Sequence, residues 1–445
     1  MNWTAKGICE VKSISILGAG PAGLSTGYHL DREYSIWEKN QQVGGGCRTE
    51  KVNGFSFDYG GHIFYPRTKP VKTLIRKLLK NDLYCMPREA WIYLKDIYTR
   101  YPFQANLYGH SVDMVKECLL GLMQAKLKYG EKPGRFSDFK DFIDKVFGEG
   151  MAKHFMIPFN KKQWGIPLNE MTVDWMGDFV PIPSLEEVLD GSLTMAPECM
   201  GINASFIYPK KGGIQTIFNS LVPFLQNVNT SSPVRSISLN NKSFQVQGHS
   251  TQHYETLVSS LPLPELVRIS DPVPSEVKAV AEKLKWTSLY VVNIGIDRPD
   301  ISEKHRVYYP EEDFVFHKLG YYQNQSPDMV PKGQSAVSAE ISFSEYRKID
   351  KTHIIERTVK DLQKAKVLSS DDRIVLTHVL TLPYAYALYD HHRGRAVARI
   401  KEFFESHDVY LCGRYAQWEY QNMEQNILAG KAMAERLNAG IGPKK

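Results

Sequence analysis

In the stretch Ser15-Ile16-Leu17-Gly18-Ala19-Gly20-Pro21-Ala22-Gly23, a short apolar strand runs into a glycine turn and then a helix-like segment. A second strand follows, Tyr34-Ser35-Ile36-Trp37, and it ends on Glu38-Lys39. Strand, glycine turn, helix and strand ending in an acid are the parts of a dinucleotide-binding unit. Gly18 permits the tight turn, Gly20 lets the backbone approach a pyrophosphate, and Gly23 lets the helix pack closely on the strand. Pro21 and Ala22 start that helix, whose free N–H groups and positive dipole end face the phosphates. Glu38 stands twenty positions after Gly18, where a carboxylate can take the hydrogen bond of a ribose 2′-hydroxyl. An acid there favours an adenosine without a 2′-phosphate.

The next two loops separate a flavin from a nicotinamide. Val43-Gly44-Gly45-Gly46-Cys47-Arg48 supplies bare backbone and a guanidinium for a diphosphate. Asp58-Tyr59-Gly60-Gly61-His62 adds a second glycine pair that lets backbone lie against a flat ring. Two such loops after one fingerprint suit FAD better than NAD.

At 445 residues the chain is long enough for at least two cores, and 42% hydrophobic with 23% charged residues is ordinary globular usage. The net charge of +6 is spread along the chain, with only Lys444-Lys445 resembling a basic tail. That pattern points away from a nucleic-acid partner and suits an anionic small molecule. No apolar run reaches the length of a membrane span, and the first residues have neither signal nor transit character, so a cytoplasmic location is expected. The six cysteines, Cys9, Cys47, Cys85, Cys118, Cys199 and Cys412, show no metal or redox spacing. Reduced thiols and no metal site are expected.

Along the chain, α/β segments alternate. A Rossmann-type FAD-binding domain is expected from residues 1–81, 201–265 and 390–445, interrupted by a helical region over 105–200. An antiparallel β-sheet substrate domain is expected from 82–104 and 266–389. Within the helical region Val112, Val115, Leu119, Leu122 and Met123 fall at helical spacing and are read as core. The strands expected further on include Leu289 to Ile296 and Ala336 to Phe343, and the last helix is expected from Asn422 to Leu437.

Together, the fingerprint, the Gly44-Gly45-x-x-Arg48 loop and the Cys412-Gly413-Arg414-Tyr415 … Trp418-Glu419-Tyr420-Gln421-Asn422-Met423 segment resemble the FAD superfamily of amine oxidases, protoporphyrinogen oxidases and UDP-galactopyranose mutases. The order of further pieces most resembles the mutases: Tyr101-Pro102-Phe103-Gln104-Ala105-Asn106, Pro158-Phe159-Asn160 … Trp164-Gly165, Tyr208-Pro209-Lys210-Lys211-Gly212-Gly213 and Tyr308-Tyr309-Pro310. The resemblance implies FAD held by Gly18, Gly20, Pro21, Ala22, Gly23, Glu38, Lys39, Gly44, Gly45, Gly46, Arg48, Gly60, Gly61, His62, Gly413, Arg414, Tyr420, Asn422 and Met423. It implies a reduced flavin that attacks the anomeric carbon of a nucleotide sugar and holds the sugar open while the ring closes in another size. His62 falls beside the flavin on this comparison, and Tyr308, Tyr384 and Tyr420 fall where family tyrosines touch diphosphate or sugar. Phe103, Phe159, Asn160 and Trp164 would line the substrate site.

Departures accompany these matches. The mutases clamp the diphosphate with two arginines, and the corresponding positions here are Ile157 and Lys318. Lysine keeps the charge without the bidentate fork, and isoleucine loses both. Arg306 replaces a family aromatic and could approach the substrate, so a clamp rebuilt from Lys318, Lys161 or Arg306 is one expectation. Three functions remain: a mutase-like isomerase of a nucleotide-activated sugar, a flavin-dependent oxidase or dehydrogenase of a sugar or amine, and a flavin-binding protein without catalysis. The chain leaves homo-oligomerisation and an NAD(P)H reductant open.

Overall fold

The computed structural model describes residues 14–195 and 204–440. Cys9, Cys199 and the Lys444-Lys445 pair lie outside them. The chain forms two compact units, one of residues 1–45, 218–283 and 395–445 and the other of residues 46–217 and 284–394.

In the first unit, five parallel strands lie in the order Val409–Leu411, Thr256–Ser259, Ile14–Leu17, Tyr34–Trp37, Val228–Asn229. Every residue of Ile14–Leu17 is buried, as the centre of a parallel sheet requires. The helices Pro21–His29 and Met423–Asn438 pack so closely that a Cβ on Gly430 would stand 2.4 Å from the Ala22 carbonyl oxygen. The antiparallel strands Val234–Ser238 and Ser243–Val246 form a second, smaller sheet, which Ser270–Asp271 joins in parallel.

The second unit is built on seven strands in the order Ile374–Ala387, Trp286–Ile296, Ser335–Phe343, Lys318–Gly320, Arg306–Tyr308, Ala90–Leu94, Ile97–Arg100. All neighbours are antiparallel except Arg306–Tyr308 beside Ala90–Leu94. Alternation gives this sheet two unlike faces. One carries Val307, Leu319, Ala339, Ile341 and Val337 into a core with Ile354 and Leu362 of the Ile354–Lys364 helix. The other carries polar side chains. The Ser205–Pro209 strand, read from the sequence with the nucleotide-binding segments, pairs with Leu83–Pro87 and belongs here.

The helical layer of this unit corrects one expectation. On Val112–Tyr129 the buried residues are Met114, Cys118, Gly121, Leu122 and Ala125, and Val112 is 82% exposed. The helix meets Phe139–Met151 through glycines: a Cβ on Gly121 would stand 2.8 Å from Gly150 N, and one on Gly150 would stand 2.3 Å from Glu117 O. Close backbone approach selects small residues, so of the five residues read as core Leu122 is buried, Val115, Leu119 and Met123 are half-buried and Val112 is exposed.

Among the described residues, Cys47, Cys118 and Cys412 are buried free thiols and Cys85 is an exposed one. Among them also, no helix is long and apolar enough to cross a membrane.

Candidate functional site

In the first unit the glycine turn is built of backbone. Gly18 has φ +94° and gives its N–H to Trp37 O at 2.8 Å, tying the turn to the second strand. A Cβ on Gly23 would lie 2.0 Å from Gly18 O, so only glycine lets the helix start this close to the strand. Gly20 is different. Its Cβ would meet only Gly45 Cα, at 3.8 Å, so the fold tolerates a side chain there and the bare backbone serves something else.

The neighbouring loop closes on this turn through Gly44 N to Ala19 O, 2.8 Å, with Gly45 at φ +55°. Glu38 is buried, with Oε2 accepting from Ala19 N at 2.9 Å and Oε1 from Asn40 N at 2.9 Å. Lys39 beside it is exposed. No side chain caps the Pro21–His29 helix, which leaves its first N–H groups to an anion. Bare backbone, an uncapped helix start and a buried carboxylate at the end of the second strand fit the adenosine diphosphate half of FAD.

The C-terminal segment lies against the same helix. Gly413, at φ +85°, would place a Cβ 2.4 Å from Ala22 Cβ, and Arg414 N donates to Asn426 Oδ1 at 2.9 Å. The Arg414 guanidinium donates to Gln421 O at 2.6 Å and lies 4.7 Å from the Tyr420 ring centroid. Asn422 and Gln425 form a capping box that starts the last helix at Met423.

In the second unit, strand register assembles a charged row. Tyr308 is opposite Lys318, Lys318 is opposite Glu340, and Arg306 is opposite Gly320, so Arg306, Tyr308, Lys318 and Glu340 share the polar face of the sheet. Glu340, 2% exposed, takes Lys318 Nζ on Oε2 at 2.8 Å and Gly61 N on Oε1 at 2.7 Å. Burial alone would raise its carboxyl, but Lys318, Arg306 and these hydrogen bonds hold it below the usual carboxylate range.

Arg88, from the strand edge before Ala90–Leu94, donates through Nη2 to Tyr308 Oη at 2.6 Å and stacks 4.8 Å from the Tyr101 ring centroid. Burial pushes the Tyr308 phenol up, yet Arg88, Lys318 and Arg306 together outweigh it and leave the phenol below its ordinary range. Nε and Nη2 of Arg306 are buried with no acceptor among the described residues.

The Gly60-Gly61-His62 loop borders this row. A Cβ on Gly61 would stand 2.7 Å from Arg306 Cζ and 2.8 Å from Glu340 Oε1. His62 Nδ1 lies 3.0 Å from Gly60 O; a carbonyl only accepts, so Nδ1 carries the proton and Nε2 presents its lone pair. Burial, helped by Arg306 and Lys318, pushes this imidazole down to about 4, so it is neutral at pH 7.

Behind the loop, fully buried Asp58 accepts from Thr49 Oγ1 and Tyr208 Oη, both at 2.6 Å, and from Ile214 N at 3.2 Å. Burial raises its carboxyl to about 6. Gly46 and Arg48 belong to this unit as well, Arg48 lying 4.4 Å from the Tyr59 ring centroid.

His62, Arg306, Tyr308 and Lys318 are thus brought together, and Phe159 meets Tyr308 edge-on at 5.5 Å. Phe103 instead stacks on Phe155 at 5.1 Å inside the helical layer, with no exposed surface. Asn160 is held within its own helix by Met156 O and by the Trp164 indole N–H. Trp164 itself packs between Trp175 and Tyr386. Tyr384 lies on the edge strand against Trp286, and Tyr420 belongs to the first unit. Lys161 is exposed, while buried Lys162 donates to Tyr309 O and Glu311 O.

Sequence reading passed over Arg88, Glu340 and the role of Asp58. Glu340 had a visible signal, a lone carboxylate within the otherwise uncharged strand Ser335–Phe343. Arg88 had none, because its partner Tyr308 is 220 positions away.

This chain belongs to the family of flavin-containing amine oxidoreductases, whose sequence profile matches residues 21–438. Its fold is similar to that of a reduced UDP-galactopyranose mutase, with TM-score 0.90 and 23% identity over 97% of this chain and 96% of the other. It is also similar to a protein assigned as a protoporphyrinogen oxidase from Exiguobacterium, with TM-score 0.70 and 15% identity over 96% and 99%. A putrescine oxidase with bound putrescine gives TM-score 0.62 and 16% identity over 96% and 99%. The resemblance drawn from the motifs is borne out at the level of superfamily and fold, and the fold hosts several chemistries.

Proposed function

We propose, on the premise of that family membership, that this chain is an FAD-dependent isomerase of a nucleotide-activated sugar that changes the size of the sugar ring. The observation that carries this reading is the charge on the polar face of the seven-stranded sheet. Among the described residues, three buried cations, Arg88, Arg306 and Lys318, stand there against two carboxylates, Glu340 and Asp58, and Asp58 ionises only above about 6. An excess of buried positive charge is costly unless an anion meets it. A nucleoside diphosphate is such an anion.

Bound reduced flavin would supply a nucleophilic and redox-active ring. Gly18, Gly20, Gly45 and Glu38 would hold its adenosine diphosphate half. Arg88, Arg306 and Lys318 stabilise the charge that develops on a departing diphosphate, in a setting that excludes water and strengthens each contact. Tyr308, fixed by Arg88, offers a hydroxyl to the same oxygens. Neutral His62 can accept a hydrogen bond through Nε2 without adding charge. The amine branch of the oxidase reading loses support here, because a protonated amine would be repelled by three cations.

Equilibrium titration of the oxidised and dithionite-reduced holoenzyme with UDP and UDP-hexoses tests this. Binding is expected in both states and tighter in the reduced one. Absence of binding by any nucleoside diphosphate in either state would remove the reading.

A further inference from the structure

The segment from Arg67 to Lys80 carries six cations and no acidic residue, which equals the net charge of +6 of the whole chain, so the rest of the protein is neutral overall. The fold gathers this charge on one surface. In the Lys69–Leu79 helix, Val71, Leu74, Ile75 and Leu79 are buried, while Lys69, Lys72, Arg76 and Lys77 are exposed, with Lys80 exposed at the C-cap. Spacings of three and four residues set these cations side by side on the outer face. Lys210 N donates to Asp82 O at 3.0 Å, and this bond brings exposed Lys211 to the end of the same helix.

Like charges at that spacing repel, and two other exposed helices answer each cation with an acid. Phe139–Met151 pairs Lys140 with Asp144, and Ile354–Lys364 pairs Lys360 with Glu356. Among the described residues, the side chains of Lys69, Lys72, Arg76 and Lys80 meet no carboxylate, and only Arg67, at the margin, is held by Asp178. The helix has no aromatic residue to stack on a base, and none of its large apolar side chains is exposed. A nucleic-acid face would add stacking rings to its cations. A bilayer of anionic phospholipid asks only for a row of cations within a Debye length of its plane.

We infer that the outer face of the Lys69–Leu79 helix, extended by Lys80 and Lys211, is a docking surface for an anionic phospholipid bilayer. The attachment is peripheral and reversible. Each cation near such a surface is worth roughly fivefold in partition, and six multiply to about 10⁴, comparable with the reversible hold of one myristoyl chain. Because no apolar side chain enters the bilayer, salt releases the protein completely.

Co-sedimentation of the holoenzyme with phosphatidylcholine vesicles, with and without phosphatidylserine, at low and at high salt tests this. Two triple variants of equal net charge are compared: Lys72→Gln, Arg76→Gln, Lys80→Gln on the helix, and Lys360→Gln, Lys364→Gln, Lys366→Gln away from it. Wild type is expected to sediment only with phosphatidylserine vesicles and only at low salt. The helix variant is expected to lose at least about tenfold in partition, with flavin content and circular dichroism unchanged, and the control to stay within about twofold of wild type. Failure of wild type to bind phosphatidylserine vesicles at low salt overturns the proposal. So does an equal loss in both variants, which would assign the binding to net charge rather than to this face. Binding of single-stranded RNA that only the helix variant loses, without vesicle binding, would give the surface to a nucleic acid instead.

Discussion

At Gly18 to Gly23 the chain presents an anion with backbone and a helix start, and no cationic side chain takes part in the turn. On the polar face of the seven-stranded sheet it presents Arg88, Arg306 and Lys318, fixed by strand register and by Glu340. The first arrangement is local and carries no charged side chain between Gly18 and Gly23. The second joins Arg88, Arg306, Lys318 and Glu340 from four separated segments and gathers cationic side chains on one face of the sheet. Backbone recognition suits a group held throughout the cycle. Side-chain recognition suits one that acquires charge and leaves.

The sharpest way to break this contrast is to substitute within the glycine turn. Gly23→Ala should prevent folding of the first unit, since the new carbon meets Gly18 O at 2.0 Å and neither partner can move; the expected loss exceeds about 4 kcal/mol. Gly20→Val should instead give folded protein without flavin, because its Cβ has 3.8 Å of clearance. Circular dichroism and flavin absorbance of the two purified proteins decide it, and a fully yellow Gly20→Val protein would remove the fingerprint assignment.

Glu340→Gln probes the charged row. Lys318 and Arg306 would keep their charge with the facing carboxylate gone, at a cost of about 3–5 kcal/mol in denaturant unfolding. A loss under about 1 kcal/mol would mean that the row is not a coupled, buried one.

Asp58 gives a pH dependence of opposite sign to most carboxylates. Its folded value, about 6, lies above the reference 3.8, so its favourable contribution is complete below that reference and is lost as pH rises through about 6. The stability of wild type relative to Asp58→Asn should therefore fall by on the order of 3 kcal/mol between about pH 4 and pH 7. A flat difference would show an Asp58 that ionises as freely in the fold as out of it.

Tyr308→Phe should have the smallest effect. Arg88 Nη2 loses an acceptor at 2.6 Å while the ring contacts with Phe159 and Tyr101 remain, so stability should fall by about 1–3 kcal/mol. Calorimetry of the variant checks this, and unchanged stability would mean that Arg88 finds another acceptor.

The same contrast explains what the sequence made legible. The βαβ turn is contiguous, and each glycine has a local reason, so Ile14–Leu17, Tyr34–Trp37 and the role of Gly23 could be read directly. Strands such as Trp286–Ile296 and Ser335–Phe343 were legible from the sequence. The Val112–Tyr129 helix was legible as a helix and Leu122 as part of its core, but the rest of its buried face was not, since Gly121 and Gly150 make the contact and apolar periodicity is blind to glycine. Arg306, Tyr308 and Lys318 were reachable through a family resemblance. Arg88 and Asp58 acquire their roles only from register and burial, which join residues more than a hundred positions apart.

Isomerisation of a nucleotide sugar is tested by anaerobic incubation of the dithionite-reduced holoenzyme with UDP-, GDP- and dTDP-sugars. Products are separated by chromatography while flavin absorbance is followed. An isomerase must yield a sugar of altered ring size at constant mass, with the flavin as reduced at the end as at the start. If every nucleotide sugar returns unchanged, or a product appears only with oxygen consumption and loss of two hydrogens, the chain is not an isomerase and the oxidase reading replaces it.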